Sequence, residues 1–198
     1  MSNDTIDSAN LTPSQQERRS RMLAAAQALA IEGGWDAVQM RDVSERADVA
    51  LGTLYRYFPS KVHLLVGVMR AATETLGRSL EKRPANGGTA AHRVREVLAR
   101  GTRALQREPR LTDAMVRALM FADATAADDV NEVTRQTTRT IITAMNANGR
   151  AESEDDDSVA RVLEMVWLTS ILSWLSGRCT AEEMDEDLTV ATNLLVRE

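Results

Sequence analysis

The sequence predicts an all-α protein of about nine helices. Apolar residues recur at helical spacing through most of the 198 residues, and no segment alternates apolar and polar residues as a half-buried strand does. Only four prolines and ten glycines interrupt the chain, so long helices are expected. The content of 43% hydrophobic and 27% charged residues is typical of a compact globular protein.

The first predicted helix begins at Pro13, a residue that suits a first helical turn, with Thr12 as the N-cap. It ends at Gly33–Gly34, because glycine commonly terminates helices. Residues 1–12 are polar and are predicted to be disordered. The apolar face of this helix consists of Met22, Leu23, Ala26, Leu29 and Ala30.

The next stretch predicts a short helix followed by a tight turn. The helix runs from about Met40 to Ala47, with Val43 and Ala47 four residues apart on its inner face. Val49 is the apolar residue that fills the gap at the turn. Gln39 precedes the helix and is expected to be a weak N-cap.

A second short helix begins near Leu51 and ends by Phe58, because Pro59 cannot continue it. Leu54 and Phe58 lie four residues apart and face inward. A helix this short does not need its remaining large side chains for stability, and a helix-turn-helix places its second helix in the major groove of DNA. The alternative is an ordinary helical corner with a solvated face. The side chains predicted to face outward are Thr53, Tyr55, Arg56 and Tyr57.

Four further segments predict helices. A long helix runs from Ser60 to about Lys82 and ends before the linker at residues 84–88. Thr89 caps the next helix, Pro109 opens another, and a fourth covers about residues 126–147.

The last two helices predict a subunit interface. Residues 159–175 are apolar on more than one face, and a final helix adds further leucines. A helix that is apolar nearly all round is buried on both sides, so in a chain of this size the second side is expected to meet a second copy. The alternative is that both faces are core. The predicted dimer-interface residues are Leu168, Ile171, Leu172, Trp174, Leu175, Leu188 and Leu195.

The stretch GTLYRYFPSK at residues 52–61 resembles the recognition helix of the tetracycline-repressor (TetR) family. The preceding block GGWDAVQMRDVSERADV resembles that family's junction between the first two helices, and the likeness covers about residues 18–70. The resemblance implies that Arg41, Thr53, Tyr55 and Tyr57 face DNA and that Lys61 contacts phosphate. Gln39 departs from the family's frequent Ser or Thr.

The net charge of −5 is unfavourable for DNA binding, so binding would depend on positive charges that lie locally around the motif. Residues 1–83 carry 11 Lys and Arg against 10 Asp and Glu, so the acidity lies in the remainder. A basic cluster at the start of the first helix consists of Arg18, Arg19 and Arg21. These arginines either bind DNA, by gripping phosphates or by entering the minor groove from a flexible arm, or they form a solvated helix start. The complete predicted DNA-binding set is Arg18, Arg19, Arg41, Thr53, Tyr55, Arg56, Tyr57 and Lys61.

Adaptable apolar side chains in the later helices predict a ligand pocket, although each of them taken singly is more often a core residue than part of a pocket wall. Composition does not name the ligand. Within the family, segments such as LTDAMVRALMFADATAADDV resemble actinobacterial repressors of cholesterol catabolism, which implies a steroid coenzyme A thioester. The alternative effector is an unrelated hydrophobic compound, such as a fatty acyl-coenzyme A or a drug. The predicted pocket residues are Met115, Leu119, Met120, Phe121, Met145, Met165 and Trp167.

The combined prediction is a homodimeric repressor of a palindromic operator, released when its effector binds. Residues 1–61 are the predicted arm and DNA-binding domain, and residues 62–198 the ligand-binding and dimerisation domain. A rival class is a DNA-binding protein without an effector, which would show no ligand-induced release.

An enzyme is the other rival class, and the sequence disfavours it. His63 and His92 lie outside any carboxylate or cysteine cluster, and no nucleophile elbow, phosphate loop or dinucleotide fingerprint occurs. We therefore predict no catalytic residues, cofactor or metal. Cys179 is the one cysteine, and neither a signal peptide nor an 18-residue apolar run is present, so we expect a cytoplasmic protein without membrane association.

Overall fold

The computed structural model describes residues 11–197, and this part of the chain contains nine α-helices and no strand. The all-α prediction is confirmed. The predicted disorder of the N-terminus falls largely on residues 1–10, which lie outside the described residues. The helices are α1 (Pro13–Ala37), α2 (Met40–Arg46), α3 (Leu51–Tyr57), α4 (Lys61–Lys82), α5 (Ala90–Arg107), α6 (Pro109–Met120), α7 (Ala127–Asn146), α8 (Asp156–Leu175) and α9 (Ala181–Leu195).

The chain forms two compact units that do not follow sequence order. One, called here the N-terminal unit, comprises the chain up to Ala71 together with Glu108–Asn131. The other, the C-terminal unit, comprises Ala72–Arg107 and Glu132–Glu198. Helix α4 contributes its first half to one unit and its second half to the other. The functional division between residues 61 and 62 stays a prediction.

Local sequence signals set most helix boundaries. Thr12 accepts a hydrogen bond from the Gln15 backbone, and the Gln15 side chain accepts one from the Thr12 backbone, which forms a capping box at the start of α1. Near its end α1 leaves helical geometry at Gly33–Gly34, where Gly34 has φ +69°. One further turn then reaches Ala37, so the predicted stop is instead a kink.

In the N-terminal unit α1 packs against α6 and α2. Alanines on α1 permit this close approach, since Ala26 and Ala30 are fully buried. Leu64 and Leu65 extend the core from the first half of α4. Burial of this apolar surface is the main favourable contribution to the unit's stability.

In the C-terminal unit α9 packs against α5 and α8. Gly101 on α5 permits a close contact, because a Cβ there would lie 2.7 Å from the Trp167 ring of α8. The indole nitrogen of Trp167 donates a hydrogen bond to Thr102 Oγ1 at 2.9 Å. This polar contact fixes the orientation of the ring.

Arg93 is a buried cation that closes the end of α7. Its guanidinium donates hydrogen bonds to the carbonyl oxygens of Ala144 and Met145, both at 2.9 Å, and to that of Gly87 at 3.3 Å. The last carbonyls of a helix carry partial negative charge and lack helical donors, so a cation here stabilises the helix end.

We predict that Arg93→Met lowers the free energy of unfolding by about 2–4 kcal/mol, because buried carbonyls lose a charged donor while the apolar stem remains. Urea unfolding followed by circular dichroism measures the change. Arg103→Met is the matched control, since Arg103 is exposed on the same helix. A loss for Arg93→Met no larger than that of the control contradicts the prediction.

Candidate nucleic-acid interface

Helices α2 and α3 are joined by the tight turn that the sequence predicts. The inward positions are confirmed, since Val43, Ala47, Leu54 and Phe58 are all buried. Each helix has only seven residues, so its conformation depends on this burial. The arrangement fixes which side chains of α3 remain outside.

Asp48 allows the chain to reverse between α2 and α3. Its φ of +52° is left-handed, a conformation in which Asp and Asn are more frequent than other non-glycine residues. The Val49 backbone N–H donates to the carbonyl of Ser44 at 3.0 Å, and Val49 itself is half-buried. The turn thus ends α2 and starts α3 without a side-chain N-cap on either helix.

Four of the predicted DNA-binding residues expose side-chain surface on this motif. Arg41 and Arg56 are exposed, Tyr55 is 39% exposed, and Thr53 is half-buried. Arg41 lies 3.1 Å from Glu45, and both side chains are largely in solvent. Such an exposed ion pair contributes at most about 1 kcal/mol, so a DNA phosphate or base can replace it.

The predicted outward orientation of Tyr57 is wrong. Its side chain is buried, and its hydroxyl has no hydrogen-bond partner among the described residues. Position 57 is three residues after Leu54 and next to Phe58, so it shares their inner face. Helical spacing alone would have revealed this placement.

Lys61 is the first residue of α4, and its ammonium lies over the ring of Trp35. The Nζ is 4.2 Å from the ring centroid, a cation–π contact. Burial against this surface lowers the pKa of Lys61, and the charge of Asp36 partly opposes that shift. The role of Trp35 is not evident from the sequence, because residues 35 and 61 meet only through tertiary packing.

Arg18 and Arg19 lie inside α1, so they do not belong to a flexible arm as one interpretation of the sequence held. Both are half-buried. The Arg19 guanidinium lies 5.3 Å from the centroid of the Phe58 ring at the end of α3. This contact links the start of α1 to the motif, and a phosphate-binding role for either arginine stays a prediction.

The predicted pocket residues lie in both units and differ in burial. In the N-terminal unit Met115 is buried and Leu119 half-buried, whereas Met120 and Phe121 are 62% and 65% exposed. In the C-terminal unit Met145 is buried beside a cavity near Arg150, and exposed Met165 lines a different groove. Trp167 packs on Gly101.

The predicted dimer residues divide into two groups. Ile171 and Leu188 are buried within the C-terminal unit, so they serve its own core and offer little surface to a second copy. The other five are half-buried: Leu168, Leu172, Trp174, Leu175 and Leu195.

The most exposed large apolar side chains of α8 and α9 were not predicted as interface residues. They are Val162, Met165, Val190 and Leu194, and they border a groove of about 740 Å³. By length and composition α8 is apolar enough to cross a membrane, as core helices of soluble proteins also are. Only 22% of the apolar 18-residue stretch of α8 is buried.

No group of three or more metal-ligating side chains occurs among residues 11–197. His63 makes hydrogen bonds within the N-terminal unit, and Cys179 is half-buried and unpaired with another cysteine.

Two family models match the chain. The model "Bacterial regulatory proteins, tetR family" matches residues 22–68, which include α2 and α3. The model "Tetracyclin repressor-like, C-terminal domain" matches residues 87–195. The matches therefore cover the motif and most of the helical body.

Known proteins similar to this chain are transcription regulators. The HTH-type transcriptional repressor KstR of Rhodococcus jostii is 47% identical over 182 residues, covering 92% of this chain and 84% of that protein. The crystal structure of a TetR transcriptional regulator from a Rhodococcus species is 37% identical, with a TM-score of 0.85 over 92% of this chain and 97% of that one.

A more distant likeness is in fold alone. The transcriptional regulator FadR of Bacillus subtilis, solved in complex with stearoyl-CoA, is 18% identical with a TM-score of 0.66 over 89% of this chain and 97% of that one. The motif, the two family models and the identity to KstR agree, and the chain belongs to the TetR family of bacterial transcriptional regulators.

Proposed function

We propose that the protein is a cytoplasmic, effector-controlled repressor that binds a palindromic operator as a homodimer. The observation that carries the proposal is the α2–turn–α3 motif, whose inner face is buried while Arg41, Tyr55 and Arg56 are exposed. The 47% identity to a named repressor over 92% of the chain supports the same function.

DNA recognition begins with α3 in the major groove. In this geometry residues near the start of the second helix reach base edges, which suits Thr53 and Tyr55. Lys61, the first residue of α4, would bind the phosphate backbone, with Arg18 and Arg19 as further cations. Tyr57 can join only if its buried side chain rotates outward.

We predict that Lys61→Ala weakens binding to all duplexes and lowers the slope of log affinity against log salt by about one per subunit, because one phosphate contact is lost. Arg41→Ala should instead reduce discrimination between the operator and base-substituted variants. Fluorescence anisotropy at several salt concentrations measures both. The exposed Arg103→Ala serves as control. Unchanged salt dependence for Lys61→Ala would remove it from the phosphate contacts.

A palindromic operator requires two copies of the motif. The exposed apolar groove between α8 and α9 supports dimerisation there, since two copies of each helix would form an isologous four-helix interface. Burial of exposed apolar side chains by a second subunit lowers the free energy of the dimer, because it removes apolar surface from water.

We predict that Leu194→Arg shifts the protein to a monomer and abolishes tight operator binding. Leu194 is 75% exposed in the single chain, so the substitution should leave the subunit folded. Sedimentation velocity reports the oligomeric state and circular dichroism the fold. Met120→Arg, at an exposed apolar residue of the N-terminal unit, is the control. A Leu194→Arg protein that stays dimeric would exclude this surface.

The proposed effector is a steroid coenzyme A thioester, as implied by the likeness to KstR. In the C-terminal unit a cleft of about 260 Å³ is lined by Leu80, Val97 and Ala144, with Arg139 beside them. Ligand pockets usually enclose about 300–1,000 Å³, so a steroid would have to widen this cleft. Arg139 could pair with the anionic part of the ligand.

A fatty acyl-coenzyme A is the second candidate effector. The observation that favours it is the shared fold with FadR, which was solved with stearoyl-CoA. Both candidates combine an apolar body with the same anionic carrier, so the experiment must vary the acyl group.

We predict that the steroid thioester releases operator DNA at lower concentration than the free steroid acid, stearoyl-CoA or coenzyme A alone. A ligand releases DNA only if it favours the non-binding conformation. Each compound is titrated into the complex and followed by anisotropy. Release by stearoyl-CoA at lower concentration would favour the second candidate, and no release by any compound would exclude both.

A further inference from the structure

The cation–π contact between Lys61 and Trp35 lies in the N-terminal unit. Lysine has four rotatable side-chain bonds, so an exposed lysine loses conformational entropy when it binds phosphate. Here the Trp35 ring faces one side of the ammonium at 4.2 Å. The ammonium has three N–H donors, and those that point away from the ring can donate to a phosphate.

Trp35 is itself in contact with the end of α6. The ring of Phe121, the residue that follows α6, lies 5.7 Å from the Trp35 ring at an interplanar angle of 52°. This distance and tilt are typical of a favourable aromatic pair. Phe121 is 65% exposed, so the ring contacts Trp35 while most of its surface remains in solvent.

A second contact joins the segment between α6 and α7 to the start of α4. The His63 Nε2 lies 3.1 Å from the carbonyl oxygen of Thr125, so this nitrogen carries the proton and donates to it. The Nδ1 lies 2.9 Å from the Ser60 Oγ, within hydrogen-bond distance. Asp123 accepts from the Thr125 backbone N–H at 2.9 Å. The segment between α6 and α7 is therefore held against the residues that precede and begin α4.

We propose that Trp35 is a positioning residue that pre-orients Lys61 for its phosphate contact, and that Phe121 holds the Trp35 ring in place. The proposal rests on the DNA-binding function proposed above. Pre-orientation reduces the entropy lost when the complex forms, and therefore raises affinity without adding a contact to DNA. Movement of the α6 end would release the ring and weaken operator binding through this one lysine.

The test is a double-mutant cycle on a duplex that the wild-type protein selects from a random-sequence pool. Trp35→Leu removes the aromatic face but keeps an apolar side chain, and Trp35→Phe keeps a smaller face. We expect Trp35→Leu to lower affinity about three- to tenfold per subunit, the cost of ordering one side chain. Trp35→Phe should lower the affinity much less than Trp35→Leu does.

The Lys61→Ala background separates positioning from folding. There Trp35→Leu and Phe121→Ala should each change affinity less than twofold, because the lysine that they orient is absent. In the wild-type background Phe121→Ala should weaken binding in the same direction as Trp35→Leu. An equal loss from Trp35→Leu in both backgrounds would mean a general structural effect and overturn the inference alone.

Two further outcomes distinguish this inference from the function on which it rests. If the wild-type protein selects no duplex, the proposed DNA-binding function fails and the inference fails with it. If a duplex is selected and Lys61→Ala weakens binding, but Trp35→Leu has no effect in the wild-type background, only the positioning role is overturned.

Discussion

Burial of the inner faces of α2 and α3 is the constraint on which the rest of this structure depends. Helices of seven residues are unstable alone in water, so the motif exists only while Val43, Leu54 and Phe58 are buried. The same burial decides which side chains are left to face DNA. It also moves Tyr57 from the predicted recognition surface into the core.

The N-terminal unit combines this motif with a helix from later in the sequence. α6 packs on α1, and the segment after it contacts Trp35 near the end of α1 through Phe121 and His63 near the start of α4 through Thr125. A change at the end of α6 therefore has a physical route to Lys61 that does not require unfolding of the motif. Effector control of DNA affinity, as proposed, needs a coupling of about 1–3 kcal/mol, which small shifts in such contacts can supply.

The features that depend on local signals could be predicted from the sequence. Thr12 and Pro109 mark helix starts because capping and proline geometry act within one turn. The pairing of Trp35 with Lys61, and of His63 with Thr125, could not be predicted because it arises from tertiary packing between distant residues. Ile171 was assigned to a subunit interface because α8 is apolar on several faces, and Leu188 because α9 adds further leucines. Periodicity does not tell which face of a helix is covered by its own subunit.

The α2–turn–α3 motif is proposed to read bases in the major groove of a two-fold symmetric site. Methylation interference at guanine N7 atoms, on duplexes selected from a random pool by the wild-type protein, tests it most directly, since N7 lies in the major groove. We expect an enriched palindrome with interference at symmetric guanines in both half-sites, and loss of discrimination at particular base pairs for Arg41→Ala. Absence of sequence enrichment, or an enriched duplex without interference at guanine N7 atoms, would contradict it.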